Sequence, residues 1–242
     1  MRYAILSDIH ANLEAFRAVM DVLSSERIDR YLSVGDVVGY GADPKECIAL
    51  LRSLEPEALV AGNHEWGVLG RTEKESFNEL ARYAVLWTAK TLLPDEIEYL
   101  NSFRLVYEDD GISIVHGTLN MPEEFYYIFD VEDACVTISK MNTNLCLVGH
   151  THIPAIFVSD GAKVEYIESS QIRIDPEKKY VINTGSIGQP RDGDPRASFG
   201  IYDSEESIFE IRRVSYDVQK AAQKILRSGL PARLADRLKE GR

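Results

Sequence analysis

Five short apolar runs in the first 150 residues constrain the fold of this 242-residue chain more than any other feature. Each run has the length of a buried β-strand, and Gly, Asp, Asn or His follows it closely. The runs span residues 3–6, 31–34, 58–61, 112–115 and 145–148. Helical patterns separate several of them, as in an α/β sheet. Because ligand sites in such sheets gather at the carboxyl ends of strands, we expect the polar residues that follow these runs to converge.

Helical spacing of apolar residues predicts four helices, over residues 13–23, 44–54, 77–87 and 218–225. Asp43-Pro44 begins the second helix, and Thr72 with Glu75 fits a capping box before the third. Between residues 155 and 210 the apolar residues alternate as in strands, with a hairpin turn expected at Asp160-Gly161. No linker or repeat interrupts the sequence, so we expect residues 1–242 to form a single domain.

All five histidines of the chain lie close behind these apolar runs: His10, His64, His116, His150 and His152. One histidine alone is more often a structural or surface residue than a ligand, but five in this position, beside Asp8, Asp36 and Asn63, favour a common site. Carboxylate, amide and imidazole donors without a thiolate suit Mn, Fe, Zn, Co or Ni. Two such ions about 3.5–4 Å apart would clamp a phosphoryl group, so the donors predict hydrolysis of a phosphate ester.

The ordered blocks resemble the signature of the calcineurin-like metallophosphoesterases. They are Asp8-x-His10, Gly35-Asp36, Gly62-Asn63-His64-Glu65, His116 and Gly149-His150-x-His152. Residues 183–196 and the Gly39-Tyr40-Gly41 segment further resemble a small prokaryotic phosphodiesterase branch of that superfamily. With these segments the resemblance covers nearly the whole chain.

The resemblance implies a four-layer αββα sandwich of two mixed β-sheets flanked by helices. It also implies two divalent metal ions, of which we favour Mn. The implied ligands are Asp8, His10 and His152 for one ion, Asn63, His116 and His150 for the other, and Asp36 as the bridge between them. His64 would act as the general acid or contact the transition state.

Departures from the family pattern bear on the substrate. Residues 37–41 supply neither the second Asp nor the phosphate-clamping Arg that the superfamily's Ser/Thr protein phosphatases carry there. A phosphodiester is therefore favoured over a phosphoprotein. For Glu65, we expect capping of backbone donors rather than catalysis. Asn12 either donates to phosphate or caps the helix at residues 13–23.

Two arginines and an aromatic segment are further candidates for substrate contacts. Arg191 and Arg196 could each supply a guanidinium or pair with Asp192 and Asp194, and an arginine that reaches the metal centre would restore a monoester preference. The aromatic residues at 125–129 could form a lid or a base-stacking wall, or could serve core packing or a dimer contact.

Charge and cysteine usage limit the partners. The 27 basic and 39 acidic residues give a formal net charge of -12, which disfavours unspecific binding to nucleic acid or to an anionic membrane. The first eight residues lack the apolar run of a signal peptide, and no stretch is long and apolar enough for a bilayer. We expect buried, reduced thiols at Cys47, Cys135 and Cys146, a cytoplasmic location and the capacity for homo-oligomers.

The function predicted from the sequence is dinuclear-metal-dependent hydrolysis of phosphate esters, with a small or nucleotide-like phosphodiester as substrate. Three alternatives stay open at this point. They are a phosphomonoesterase or Ser/Thr protein phosphatase-like enzyme, an interaction module that binds metal without turnover, and regulatory nucleotide binding.

Overall fold

Two six-stranded mixed sheets form the centre of the computed structural model, which describes residues 1–72, 77–109 and 111–242. The first sheet has the order β3 (Ala58–Leu59), β2 (Arg30–Ser33), β1 (Arg2–Leu6), β11 (Ala197–Asp203), β12 (Ile208–Val214) and β9 (Gln171–Arg173). The second has the order β4 (Val106–Asp109), β5 (Ile112–Val115), β6 (Leu145–Val148), β10 (Lys179–Thr184), β7 (Pro154–Ser159) and β8 (Val164–Tyr166). Within them, β1, β2 and β3 run parallel, as do β5, β6 and β10.

The alternation of side chains along the strands builds the core between the sheets. In β1, Ile5 packs in one cluster with Ile114 and Ile182 of the second sheet, whereas Leu6 packs in another with Phe16 of the first helix. Burying an Ile, Leu or Phe side chain contributes about 1.5–3 kcal/mol each, so these strands are held from both faces.

Helices cover the outer faces of both sheets. They are α1 (Leu13–Leu23), α2 (Pro44–Ser53), α3 (Asn63–Val68), α4 (Glu79–Thr91), α5 (Pro94–Asn101), α6 (Val131–Ile138), α7 (Val218–Arg227) and α8 (Ala232–Glu240). The apolar cluster outside the first sheet includes α1 and α2, and the cluster outside the second includes α6. The predicted four-layer αββα sandwich is confirmed.

The predicted elements α1, α2, α4 and α7 and the hairpin turn between β7 and β8 are confirmed. The pattern missed α5, α6 and α8, which are only eight or nine residues long and so show the helical spacing over few turns. Glu75 of the expected capping box lies outside the described residues, and the N-cap of α4 is Asn78, whose side chain accepts from Ala81 N.

One cysteine prediction is wrong. Cys47 and Cys146 are buried, but Cys135 is exposed because it lies on the solvent side of α6, whose Ala134 and Ile138 face the sheet. None of the helices in the described ranges combines the length and the apolar character needed to cross a membrane.

Candidate metal centre

The carboxyl ends of the parallel strands in both sheets bring the predicted ligands together. The His and Asp side chains form three buried groups, in each of which the potential ligand atoms lie within 4.8 Å of one another. The groups are Asp8 with His10 and His152, His10 with Asp36 and His64, and Asp36 with His116 and His150. His10 belongs to the first two groups and Asp36 to the last two, so these residues join ligands that lie far apart in the sequence.

Several of these residues adopt the left-handed backbone conformation that non-glycine residues usually avoid. The φ angle is 52° at Asp8, 53° at Asp36, 69° at His150 and 62° at His152. Such strain persists only where the surrounding structure imposes it, and it is concentrated at functional sites. The strained loops after the strands therefore direct these side chains to one site.

Backbone carbonyls fix the tautomers of His10 and His152. The Nδ1 atoms donate to Val38 O at 3.0 Å and to Gln189 O at 2.6 Å, respectively. Since a carbonyl only accepts, each neutral ring carries its proton on Nδ1 and presents an Nε2 lone pair. The two Nε2 atoms lie 3.0 Å apart, and Asp8 Oδ1 lies 3.3 Å from His152 Nε2. Facing lone pairs beside a carboxylate fit a cation that all three groups share.

His116 has the same arrangement on the other side of Asp36. Its Nδ1 donates to Val34 O at 3.0 Å, and its Nε2 lies 3.2 Å from both Asp36 Oδ2 and His150 Nδ1. Burial acts to lower the pKa of His116, but the charge and hydrogen bond of Asp36, together with the charges of Asp8 and Glu65, raise the pKa to about 9. A positive charge is therefore favoured at the position where His116, Asp36 and His150 meet.

The pKa values of the other groups follow from the same balance. Burial opposes the Asp36 carboxylate, but the neighbouring imidazoles hold its pKa well below the ordinary value. Burial first, and then nearby positive groups, lower the pKa values of His150 and His152, so both rings are neutral lone-pair donors near pH 7. Neutral imidazoles around an ionised carboxylate are the state that binds a metal ion.

Asn63 begins α3 and lines the cavity at this centre. Its Oδ1 atom is buried without a hydrogen-bond partner among the described residues. A buried amide oxygen without a partner is costly, and a bound cation would satisfy it. Together with the aspartates and histidines, it fits a pair of divalent ions held by nitrogen and oxygen donors.

Glu65 does not line the cavity but binds the backbone of the segments that carry the ligands. Its carboxylate accepts from Asp36 N at 2.7 Å, Gly62 N at 2.8 Å and Val38 N at 3.2 Å. Burial and the Asp36 charge raise the pKa of Glu65 to about 8, against the pull of these donors. The expected cap is confirmed, and the same side chain also fixes the backbone of Asp36, a contact between residues 29 apart.

His64 projects into the same cavity from the first turn of α3. Its backbone N–H donates to Asp36 Oδ1 at 2.9 Å, and its Nδ1 is buried without a partner in the described part of the chain. Burial lowers the pKa of His64 to about 3, so the ring is neutral near pH 7. His64 can thus donate through its neutral N–H, while its membership of a group with His10 and Asp36 also makes it a possible ligand.

A cavity of about 230 Å³ opens over these residues. Of the described residues that line it, Arg191 is the one with a permanent positive charge. The Arg191 Nη2 atom donates to Gln189 Oε1 at 3.1 Å, and its Cζ lies 5.6 Å from the ring centre of Tyr40. Burial raises the pKa values of Tyr40 and Tyr127, and the Arg191 guanidinium beside both hydroxyls opposes that rise. The guanidinium is therefore held at the cavity between two phenols.

Residues 1–207 match the family model of the calcineurin-like phosphoesterase superfamily domain. The chain belongs to this superfamily. It is 39% identical to an uncharacterized protein of Methanocaldococcus jannaschii, over 99% of this chain and 98% of that protein. A metallophosphoesterase structure from Sphaerobacter thermophilus has 36% identity and a TM-score of 0.89, covering both chains completely. A hypothetical protein of Pyrococcus horikoshii has the same fold, with 19% identity, a TM-score of 0.81 and coverage of 100% and 98%.

Membership of the calcineurin-like phosphoesterase superfamily supports a phosphoesterase hydrolase. The clustered histidines and aspartates support divalent metal binding. The predicted resemblance is confirmed, and the metal ligands expected from it all lie at the centre described above.

Two predicted substrate contacts lie elsewhere. Arg196 is exposed and outside the described cavity lining, because Asp194 holds its guanidinium with an Nη2–Oδ2 distance of 2.6 Å. Asn12 is buried, and both atoms of its side-chain amide are hydrogen-bonded. Its Oδ1 accepts from Ala15 N at 3.2 Å, and its Nδ2 donates to Gly188 O at 2.8 Å. Of the two roles considered for Asn12, helix capping is the one observed.

The aromatic residues at 125–129 have separate roles. Phe125 is buried edge-on to Trp66 and His116, with ring centres 5.3 and 6.0 Å apart. Tyr127 stacks on His150 at 4.0 Å and on Phe129 at 5.1 Å. Tyr126, Tyr127 and Phe129 are nevertheless exposed. The base-stacking wall therefore stays a prediction.

Sequence reasoning missed the backbone contacts of the segment that precedes Arg191. Ser186 Oγ and Gly188 N donate to Asp8 O at 2.7 and 2.9 Å, and Gln189 O orients His152. The resemblance at residues 183–196 singled out the segment, but only the fold shows that it supports both Asp8 and His152.

Proposed function

We propose that this protein hydrolyses phosphate esters at a centre of two divalent metal ions, with a small phosphodiester as substrate. The position of Asp36 carries the proposal. Its Oδ2 lies 3.6 Å from His10 Nε2 and 3.2 Å from His116 Nε2, one imidazole from each proposed ligand set. Asp8, His10 and His152 would hold one ion, and Asn63, His116 and His150 the other. Mn is the ion we favour for this mixture of donors.

When bound, the two ions supply charge for the phosphoryl oxygens and a water of lowered pKa. The protein's own contribution lies around them. His64 acts as the transition-state contact: its neutral imidazole keeps its proton and donates a hydrogen bond to the leaving oxygen, a role that its position in the cavity supports. Arg191 binds a non-bridging phosphoryl oxygen through its guanidinium. Glu65 keeps the Asp36 loop in place.

The charges that line the cavity favour a diester. A diester carries one negative charge and a monoester nearly two. Arg191 is the one permanent cation among the described lining residues, and Glu123 and Glu124 also line the cavity. The net charge of -12 further opposes a highly charged substrate. The second candidate is a phosphomonoesterase, because Arg191 does reach the cavity, the condition set above for a monoester preference. We keep the diester as the first candidate because Glu123 and Glu124 outnumber this one guanidinium in the lining.

We further infer that residues 1–242 act as one domain, because β11 and β12, from the last quarter of the chain, extend the sheet that begins with β1. Buried free thiols at Cys47 and Cys146 support a reducing, cytoplasmic location. Formation of homo-oligomers stays a prediction.

The experiment uses metal-free protein restored separately with Mn, Zn, Ni and Mg. We expect Mn-restored protein to show a higher kcat/KM for bis-p-nitrophenyl phosphate than for p-nitrophenyl phosphate. Faster monoester turnover that disappears in Arg191→Gln would establish the second candidate instead. Metal binding without turnover of any phosphate ester would leave an interaction module or a regulatory nucleotide-binding protein.

A further inference from the structure

The C-terminal helical hairpin, α7 and α8, lies beyond the family match, which ends at residue 207. Its apolar face nevertheless packs against the candidate site. Ala221, Ile225 and Leu238 are buried in one cluster with Tyr40. The same side chains line a small cavity beside Tyr40 and His10. Burial of these alkyl groups holds Tyr40 against the hairpin.

Tyr40 connects this hairpin to the groups that face the cavity. Its ring centre lies 4.6 Å from that of His10 and 4.4 Å from that of His64. The Arg191 guanidinium lies over the same ring at 5.6 Å. A shift of Tyr40 would therefore move the surroundings of Arg191.

The end of the hairpin reaches the Arg191 loop directly. Gly241 ends α8 with a left-handed φ of 64°, and its carbonyl accepts from Gly193 N at 2.9 Å. A Cβ at position 241 would lie 2.8 Å from backbone atoms of Gly193 and Asp194. Only glycine permits this approach, which fixes the loop two residues beyond Arg191.

Ion pairs secure the hairpin against the rest of the domain. Lys224 Nζ lies 2.7 Å from Glu14 Oε1 on α1 and 2.9 Å from Asp43 Oδ2, just before α2. Asp43 follows Tyr40 by three residues. Lys224 thus ties α7 both to α1 and to the end of the segment that carries Tyr40.

We propose that the C-terminal hairpin is a positioning element of the active site. The hairpin contacts the loop at residues 192–194 through Gly241, and it contacts Tyr40 through Leu238. By these two contacts it holds the Arg191 guanidinium in the cavity and so sets the affinity for substrate phosphate. This inference rests on the proposed function, in which Arg191 binds a phosphoryl oxygen. A preorganised guanidinium binds better because less conformational freedom is lost on binding.

The test compares Gly241→Ala with Gly229→Ala. Both glycines have a left-handed φ, 64° and 74°, so both variants carry the same kind of backbone strain, but nothing lies within 4 Å of a Cβ at position 229. With Mn-loaded protein and bis-p-nitrophenyl phosphate, Gly241→Ala is expected to raise KM about fivefold or more, with kcat and metal content unchanged. Gly229→Ala is expected to leave KM unchanged.

The route through Arg191 is tested in the double variant. In an Arg191→Gln background, Gly241→Ala should have no further effect on KM. Equal KM values for Gly241→Ala and Gly229→Ala, or a full effect of Gly241→Ala without Arg191, would overturn the inference. If Gly241→Ala does not fold, Leu238→Ala takes its place, with Leu234→Ala as the control buried in the same cluster outside the small cavity.

Calorimetric binding of inorganic phosphate separates this inference from the proposed function. If the wild-type protein turns over no phosphate ester, the proposed function fails. The hairpin inference then still requires that Gly241→Ala weaken phosphate binding about fivefold relative to Gly229→Ala. Equal phosphate affinities of these two variants contradict the inference whether or not the wild-type protein is active.

Discussion

Replacing Asp36 by Asn should empty both metal positions while leaving the fold intact. The amide oxygen can keep the bond that Asp36 Oδ1 accepts from His64 N at 2.9 Å. The amide N–H₂ would then face His10 Nε2 and His116 Nε2, which lie 3.6 and 3.2 Å from Asp36 Oδ2. A carboxylate shared by two ions is replaced by a neutral group that points donors at the cation positions.

The expected magnitude follows from the lost charge. Two unit charges 4 Å apart interact by about 4 kcal/mol at an effective dielectric constant of about 20, and a divalent ion doubles this to about 8 kcal/mol. Each ion should therefore bind about 10⁶-fold more weakly. The kcat/KM for bis-p-nitrophenyl phosphate should fall by at least about 10³-fold. Elemental analysis after dialysis measures the metal content, and thermal unfolding tests whether the fold is kept.

The control is Asp203→Asn, which makes the same chemical change at a carboxylate paired with Arg2, outside the site. It should retain metal and activity. Two tightly held ions per chain in Asp36→Asn would refute the bridging role of Asp36.

Four further changes test separate parts of the site. His64→Ala should keep its metal while kcat falls about 10²-fold, less for a nitrophenolate leaving group than for an alkoxide; loss of metal would instead make His64 a ligand. Against the effect of burial, the neighbouring carboxylates, Asp36 foremost, raise the pKa of His116 from 6.5 to about 9. The stabilisation from protonated His116 is therefore complete below about pH 6.5 and is lost as the pH rises through about 9. The Tm of metal-free protein should fall over that pH range. His116→Gln should flatten this dependence of Tm on pH. Tyr127→Phe keeps the stacking but removes the hydroxyl beside Arg191, and should raise KM severalfold with normal metal content, whereas Tyr126→Ala should not. Glu65→Gln keeps one acceptor oxygen but turns an amide N–H₂ toward the buried N–H of Val38, or toward those of Asp36 and Gly62. It should lower the free energy of unfolding by about 1–3 kcal/mol, as denaturant titration would show.

The strands and the polar residues that converge at their ends could be predicted from short-range patterns, whereas the four layers and the ligand sets were implied by the family resemblance. Apolar runs of strand length define β1, β2, β5 and β6, and each ligand stands within a few residues of a strand end. Parallel pairing then brings these ends to one edge of the sandwich, whatever separates them along the chain.

The parts that the sequence did not predict depend on contacts between distant residues. Nothing local distinguishes Arg191 from Arg196, since both lie in a loop rich in Gly, Asp and Pro. Arg191 reaches the cavity because residues 186–189 are bonded to Asp8 and His152. Likewise, Glu65 reads as a local helix cap until the fold places Asp36 N beside it.

The central claim is that two metal ions held around Asp36 support phosphate-ester hydrolysis. The most direct measurement titrates metal-free protein with Mn and records turnover of bis-p-nitrophenyl phosphate at each step. We predict negligible turnover without metal, a maximum at two equivalents per chain, and little turnover in Asp36→Asn at the same Mn concentrations. Turnover that does not depend on metal, or a maximum already at one equivalent, would contradict the two-metal centre.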